Sequence, residues 1–183
     1  PLPDLSAVNT SPVNGANLVN PASITFSGTA SNSTSATPAL TNFWADVEID
    51  WNQGNCAVAT PESVSNAGGA WQGVTSTWSS AISATYTAAN SSLQNGTHCY
   101  RMIIDRDNFI SESNEGNNGA TPWRSFTISG LPQCSDGIDN DSDSKTDYPT
   151  DPGCSSDADN DETDVIPLPD LSAVNTSPVN GAN

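Results

Sequence analysis

The sequence predicts an all-β chain: an antiparallel sandwich of short strands, followed by a small irregular acidic segment. Three observations carry this. Only 34% of the 183 residues are hydrophobic, yet five Trp, four Phe and three Tyr suffice for one modest core. Ser, Thr, Asn, Gly and Pro are abundant, and they suit turns between short strands better than helices. No window carries an apolar period near 3.6 residues, whereas one alternates cleanly with period two.

Strands are expected at residues 4–10, 23–29, 42–51, 76–87, 98–105 and 125–129. Turn-rich stretches separate them, among them Ser11-Pro12-Val13-Asn14-Gly15 and Asn95-Gly96. Six or seven antiparallel strands in about 130 residues point to an immunoglobulin-like sandwich. The strand at 42–51 is the clearest. Phe43, Ala45, Val47, Ile49 and Trp51 alternate with Trp44, Asp46, Glu48 and Asp50. Alternation places the first set in the core and three carboxylates in a row on the other face. That row is expected to be a solvated face. Arg101 and Arg124, on later strands of the same sheet, are expected beside it as cross-strand partners.

Four cysteines form an even set with no CxxC pair. Disulfides in an oxidising, extracellular compartment are the simplest reading. Cys99 shares a face with Arg101, and Cys56 lies just past the carboxylate strand. A Cys56–Cys99 bridge with Cys134–Cys154 is therefore preferred over the two other connectivities.

The stretch IIDRDNFISESNEGNN at residues 103–118 resembles the strand-to-loop signature of the CARDB family, the cell-adhesion-related domains of bacteria. Pro3-Asp4-Leu5 followed by Thr10-Ser11-Pro12 resembles the start of the same domains. The resemblance spans roughly residues 3–129. It implies a seven-stranded immunoglobulin-like sandwich in an extracellular, often repetitive protein, and brings no catalytic residues. It does not supply the disulfides.

Charge divides the chain. Residues 1–130 hold nine acids and three Arg, a net of −6, whereas 131–166 hold eleven acids and one Lys, a net of −10. A boundary is expected at Gly130-Leu131-Pro132. The domains are then a sandwich at 1–130, an acidic connector at 131–166, and the first strand of a further repeat at 167–183. The connector carries two DxDxD triplets, Asp139, Asp141, Asp143 and Asp157, Asp159, Asp161. Calcium is a hard cation that takes six to eight oxygens, and alternate carboxylates on a curled loop can converge on one ion. Lys145 and Asp147 continue the first triplet at EF-hand-like spacing. Ser144 stands where such a loop has Gly, and Thr150 where it has Glu, with Asp151 one residue beyond. The pattern is similar to the calcium-wrapped aspartate repeats of thrombospondin type 3, which have little regular structure and use disulfides. The candidate calcium ligands are Asp136, Asp139, Asp141, Asp143, Lys145, Asp147, Asp151, Asp157, Asp159, Asp161 and Glu162. Without cations, eleven carboxylates in 36 residues are expected to repel and extend the segment.

A net charge of −17 argues against nucleic acid, which needs a basic footprint, and against anionic membranes. No apolar run reaches membrane-spanning length. His98 has no nucleophile in a triad-like arrangement around it and reads as a strand residue, so no enzyme is expected. Trp44, Trp71, Trp78 and Trp123 leave a sugar platform as a minor reading.

Residues 167–183 repeat residues 1–17 letter for letter, at an offset of 166. The chain therefore reads as one repeat and the opening of the next. The functional expectation is a structural module of an extracellular filament or cell-surface stalk, stiffened by calcium, whose partners are neighbouring repeats or subunits of the same polymer. The alternatives are an adhesin repeat binding polysaccharide or another cell surface, and an accessory domain of a large secreted enzyme.

Overall fold

The computed structural model describes residues 2–35, 40–51, 54–74, 77–87 and 93–165. In chain order the strands are β1 (Leu5–Ser11), β2 (Ala16–Val19), β3 (Ser23–Asn32), β4 (Leu40–Asp50), β5 (Ser63–Val74), β6 (Trp78–Thr87), β7 (Gly96–Ile104) and β8 (Arg124–Ser129). One sheet runs β1-β3-β6, the other β2-β8-β7-β4-β5. Among the described residues, every strand pairing is antiparallel except β2 with β8, which is parallel.

The six strands expected within the sandwich are present with slightly shifted ends, and the strand expected at 167–183 lies outside the described residues. Two more join them. β2 is only four residues long, too short to establish a period. β5 is rich in Gly, Ser and Asn, and its Val64 faces solvent at the sheet edge, so its pattern is not that of a half-buried strand.

Period-two alternation fills the space between the sheets. Phe43, Ala45, Val47 and Ile49 of β4 are fully buried against Leu5, Phe26, Tyr100, Phe126 and Ile128. Phe26 is central, its ring centroid 4.9 Å from Tyr100 and 5.3 Å from Phe126. Trp51, expected in the core, is only half-buried because the chain turns there. Its ring meets His98 edge-on at 5.1 Å, and its Nε1 donates to Ser63 Oγ at 2.8 Å. His98 is wholly buried, which lowers its pKa, and its Nε2 lies 2.9 Å from the Gln94 carbonyl.

The carboxylate row departs from the expected solvated face. Glu48 and Asp50 are buried. Register sets Arg101 opposite Glu48, and Arg101 Nε reaches Glu48 Oε2 at 2.6 Å. The second cation is Arg106 rather than Arg124: Arg106 Nε lies 3.0 Å from Glu48 Oε1. Arg124 sits opposite Tyr100 and donates to the Pro12 carbonyl at 3.3 Å. Arg106 lies in the turn after β7, which strand pairing rules do not cover. Asp50 is satisfied by the Thr60 amide at 2.6 Å.

Both expected disulfides are formed, with Cα–Cα distances of 5.5 Å for Cys56–Cys99 and 5.7 Å for Cys134–Cys154. The loop after β7 fastens the first strand. Glu112 is buried and accepts from the Leu5 amide on one oxygen and from Asn118 Nδ2 on the other. Asn117 Nδ2 donates to Asp4 Oδ1 at 2.8 Å, and the Ser113 amide to the Pro3 carbonyl at 2.8 Å. No helix among the described residues is long and apolar enough to cross a membrane.

Candidate metal centre

Gly130, with φ +75°, takes the chain out of β8 in a backbone conformation that L side chains rarely adopt. Leu131 then returns its side chain to the sandwich core. Asn95, just before β7, joins the two parts. Its Oδ1 accepts the Leu131 amide at 3.2 Å, and its Nδ2 donates to Asp136 Oδ2 at 3.0 Å. Its own amide donates to the Asp136 carbonyl at 3.0 Å. The acidic segment thus begins seated on the end of the sandwich.

Beyond this joint there is almost no apolar material to bury. The Cys134–Cys154 bridge is the covalent centre, and carboxylates act around it as acceptors for backbone amides. Asp136 Oδ1 accepts from Ile138 N at 2.9 Å, and Asp147 Oδ1 from Asp136 N at 3.1 Å. Glu162 is fully buried, taking Asn140 N at 2.7 Å and Asp147 N at 3.0 Å. It closes the segment from its far end. Gly153 permits that closure, because a Cβ there would overlap the Glu162 carbonyl. Burial raises the Asp147 pKa, opposed by the Gly137 amide, and the nearby Asp136 and Glu162 push it up further.

The first triplet forms a cluster. Asp139, Asp141 and Asp143 each offer a carboxylate oxygen within 4.8 Å of the others. Left-handed residues curl the loop, with φ +67° at Ser142 and +74° at Ser144. Asp139 accepts the Ser142 and Ser144 amides at 2.7 and 3.0 Å. Lys145 rests on the same loop, its Nζ 2.6 Å from Asp143 Oδ2, and this contact lowers the Asp143 pKa.

Asp151 supplies a second, independent feature. It is 2% exposed; Oδ1 accepts the Gly153 amide at 2.6 Å, while Oδ2 is buried and meets no hydrogen-bond donor. An ionised oxygen buried without a partner is costly, and a cation relieves that cost. The donor set is all oxygen and densely anionic, which fits a hard divalent ion. Cys134 and Cys154 also lie near Glu162, but their sulfurs are bonded to each other and are not thiolate ligands.

The second triplet does not converge. Asp159 Oδ2 takes Ser155 Oγ at 2.5 Å, and Asp161 Oδ1 takes the Thr163 amide at 3.0 Å. The Ser155 hydroxyl lowers the Asp159 pKa, and the Thr163 side chain, followed by its amide, lowers that of Asp161. Asp157 is exposed. Sequence reasoning passed over Asn95 as the joint, although an Asn before Gly at the mouth of a strand had marked the turn.

The CARDB family model matches residues 2–122. The chain belongs to the CARDB family. Membership suggests a surface- or adhesion-related module and assigns no specific function. The match ends before β8 and the acidic segment.

Among solved structures, the chain is similar to a CARDB domain from Pyrococcus furiosus crystallised in complex with di-metal ions. Identity is 14%, coverage 69% of this chain and 94% of that one, and the TM-score 0.44. It is also similar to part of the Pseudomonas fluorescens alkylpurine DNA glycosylase AlkC bound to DNA containing an abasic site analog (14% identity, 68% and 30% coverage, TM-score 0.41). A third is Listeria innocua beta-glucosidase in complex with glucose (9% identity, 70% and 16% coverage, TM-score 0.43). The chain spans under a third of the glycosylase and under a fifth of the glucosidase. No curated protein matches the chain.

Proposed function

We propose that the chain is a structural module of an extracellular filament or cell-surface stalk. The CARDB sandwich is the rigid bead. The acidic segment is a connector ordered by calcium, which leads to the next bead. The observation that carries this is the identity of residues 167–183 with residues 1–17. An interval of 166 residues contains one sandwich and one acidic segment, the size of a whole domain with its connector.

Calcium is supported by the convergence of Asp139, Asp141 and Asp143 and by the unpartnered buried oxygen of Asp151. Asp136, Asp147 and Glu162 would order the loop through its backbone amides. Two disulfides support an oxidising location at or outside the cell surface. Electron microscopy of native material is the direct test. Filaments with an axial period of one module are expected, and dispersed monomers in native material would contradict the reading.

One observation favours adhesion as a second reading. A cleft of about 290 Å³ beside β4 is lined by Trp44, Asp46, Asn66, Asp105, Arg106, Asp107 and Phe109. Trp44 and Phe109 are exposed there, and aromatic faces flanked by carboxylates and an amide are suited to sugars. Binding of a single monomeric module on a glycan array, lost in Trp44→Ala, is the expected outcome of that reading.

A further inference from the structure

The site that holds residues 2–17 is specific, and the chain carries their sequence twice. β1 fills it between the edge of β3 and the loop after β7. Leu5 is fully buried in the core, and its amide donates to Glu112. Asp4 takes Asn117 Nδ2 and Ser33 Oγ on its two carboxylate oxygens. Asn9 is buried, and its Oδ1 accepts the Met102 amide at 2.7 Å from across the sandwich. The Pro12 carbonyl accepts the Tyr100 hydroxyl, and Asn14 Oδ1 takes the Ser125 amide at 2.9 Å. These contacts read side-chain identity as well as backbone, so a generic strand would not satisfy them.

At the offset of 166, Asp170, Leu171, Asn175, Pro178 and Asn180 are the same residues in the same order. We infer that residues 167–183 are a donor strand for the β1 site of a second copy of this chain. Such a contact is heterologous, joining the tail of one copy to the head of the next. Heterologous contacts close into rings where the rotation between copies closes and propagate into open chains where it does not. The inference rests on the repeat reading and deepens it: the same segment that opens a following bead joins separate copies when the acceptor's own first strand is displaced.

The test uses the full chain. Leu5→Asp places a charge in the core and expels the resident strand. The intact second copy should rescue it by occupying a neighbour. Leu5→Asp is therefore expected to be folded by circular dichroism and to show a mass of two chains or more by light scattering. The double variant L5D/L171D should lose both the fold and the association. Ser6 Oγ lies 3.0 Å from Ser31 Oγ, and Ser172 is its counterpart. Adding Ser31→Cys and Ser172→Cys to the Leu5→Asp chain should then give an intermolecular disulfide ladder on a non-reducing gel.

A Leu5→Asp chain no better folded than L5D/L171D would overturn the inference. So would a folded Leu5→Asp monomer, since the segment would then remain within its own chain. Neither result depends on calcium or on native filaments, so the filament reading can fail separately.

Discussion

The sandwich and the acidic segment solve the same problem with opposite materials. The sandwich orders its backbone by burying apolar side chains between two sheets, and its polar devices sit around that core. The acidic segment has a disulfide in place of a core and carboxylates in place of sheet partners. In the first, charge is tolerated where cations cover it, as Arg101 and Arg106 cover Glu48. In the second, Asp136, Asp147 and Glu162 are themselves the scaffold, because each holds backbone amides that no strand satisfies. The sandwich should thus respond to lost packing, and the acidic segment to lost cross-links, protons and cations.

The largest effect should come from Phe26→Ala, which empties the centre of the core at a cost of about 3–5 kcal/mol. Thermal unfolding should shift strongly downward, equally with and without calcium. A calcium-dependent loss would erase the contrast between the two regions. Next is the paired substitution Cys134→Ser and Cys154→Ser. On a chain-entropy basis it costs the segment about 3 kcal/mol. Hydrogen exchange should accelerate across residues 131–165, while amides of β4 and β7 keep their protection.

Smaller again is a pH effect inside the sandwich. Burial raises the Glu112 pKa from 4.5 to about 7, against the lowering pull of its hydrogen bonds with Leu5 and Asn118. The folded state therefore holds a proton that the unfolded chain has released. This stabilisation is complete below about 4.5 and is lost as pH rises through about 7. Denaturant midpoints should fall between pH 5 and pH 8, and Glu112→Gln should flatten that slope. An unchanged slope in Glu112→Gln would assign the dependence to other carboxylates.

The same contrast explains what the sequence made legible. β4 was readable because Phe43, Ala45, Val47 and Ile49 alternate and can only pack one way, and the core followed. The disulfides were readable because Cys56 and Cys134 each had a partner placed by strand order or short separation. Arg106 was not, since its reach to Glu48 depends on the turn that follows β7. Nor was Glu112, which stands among several acids and is distinguished only by the fold that brings Leu5 to it. In the acidic segment, spacing identified the Asp139, Asp141, Asp143 cluster. It did not distinguish this triplet from Asp157, Asp159 and Asp161, whose hydrogen bonds to Ser155 and Thr163 are local turns.

The most direct measurement is hydrogen exchange of the intact chain with and without millimolar calcium, beside an Asp139→Asn variant. Protection should rise across residues 131–165 when calcium is added and not when magnesium replaces it. The sandwich should be unaffected, and Asp139→Asn should abolish the gain. Equal exchange in that segment at zero and millimolar calcium would contradict a calcium-ordered connector.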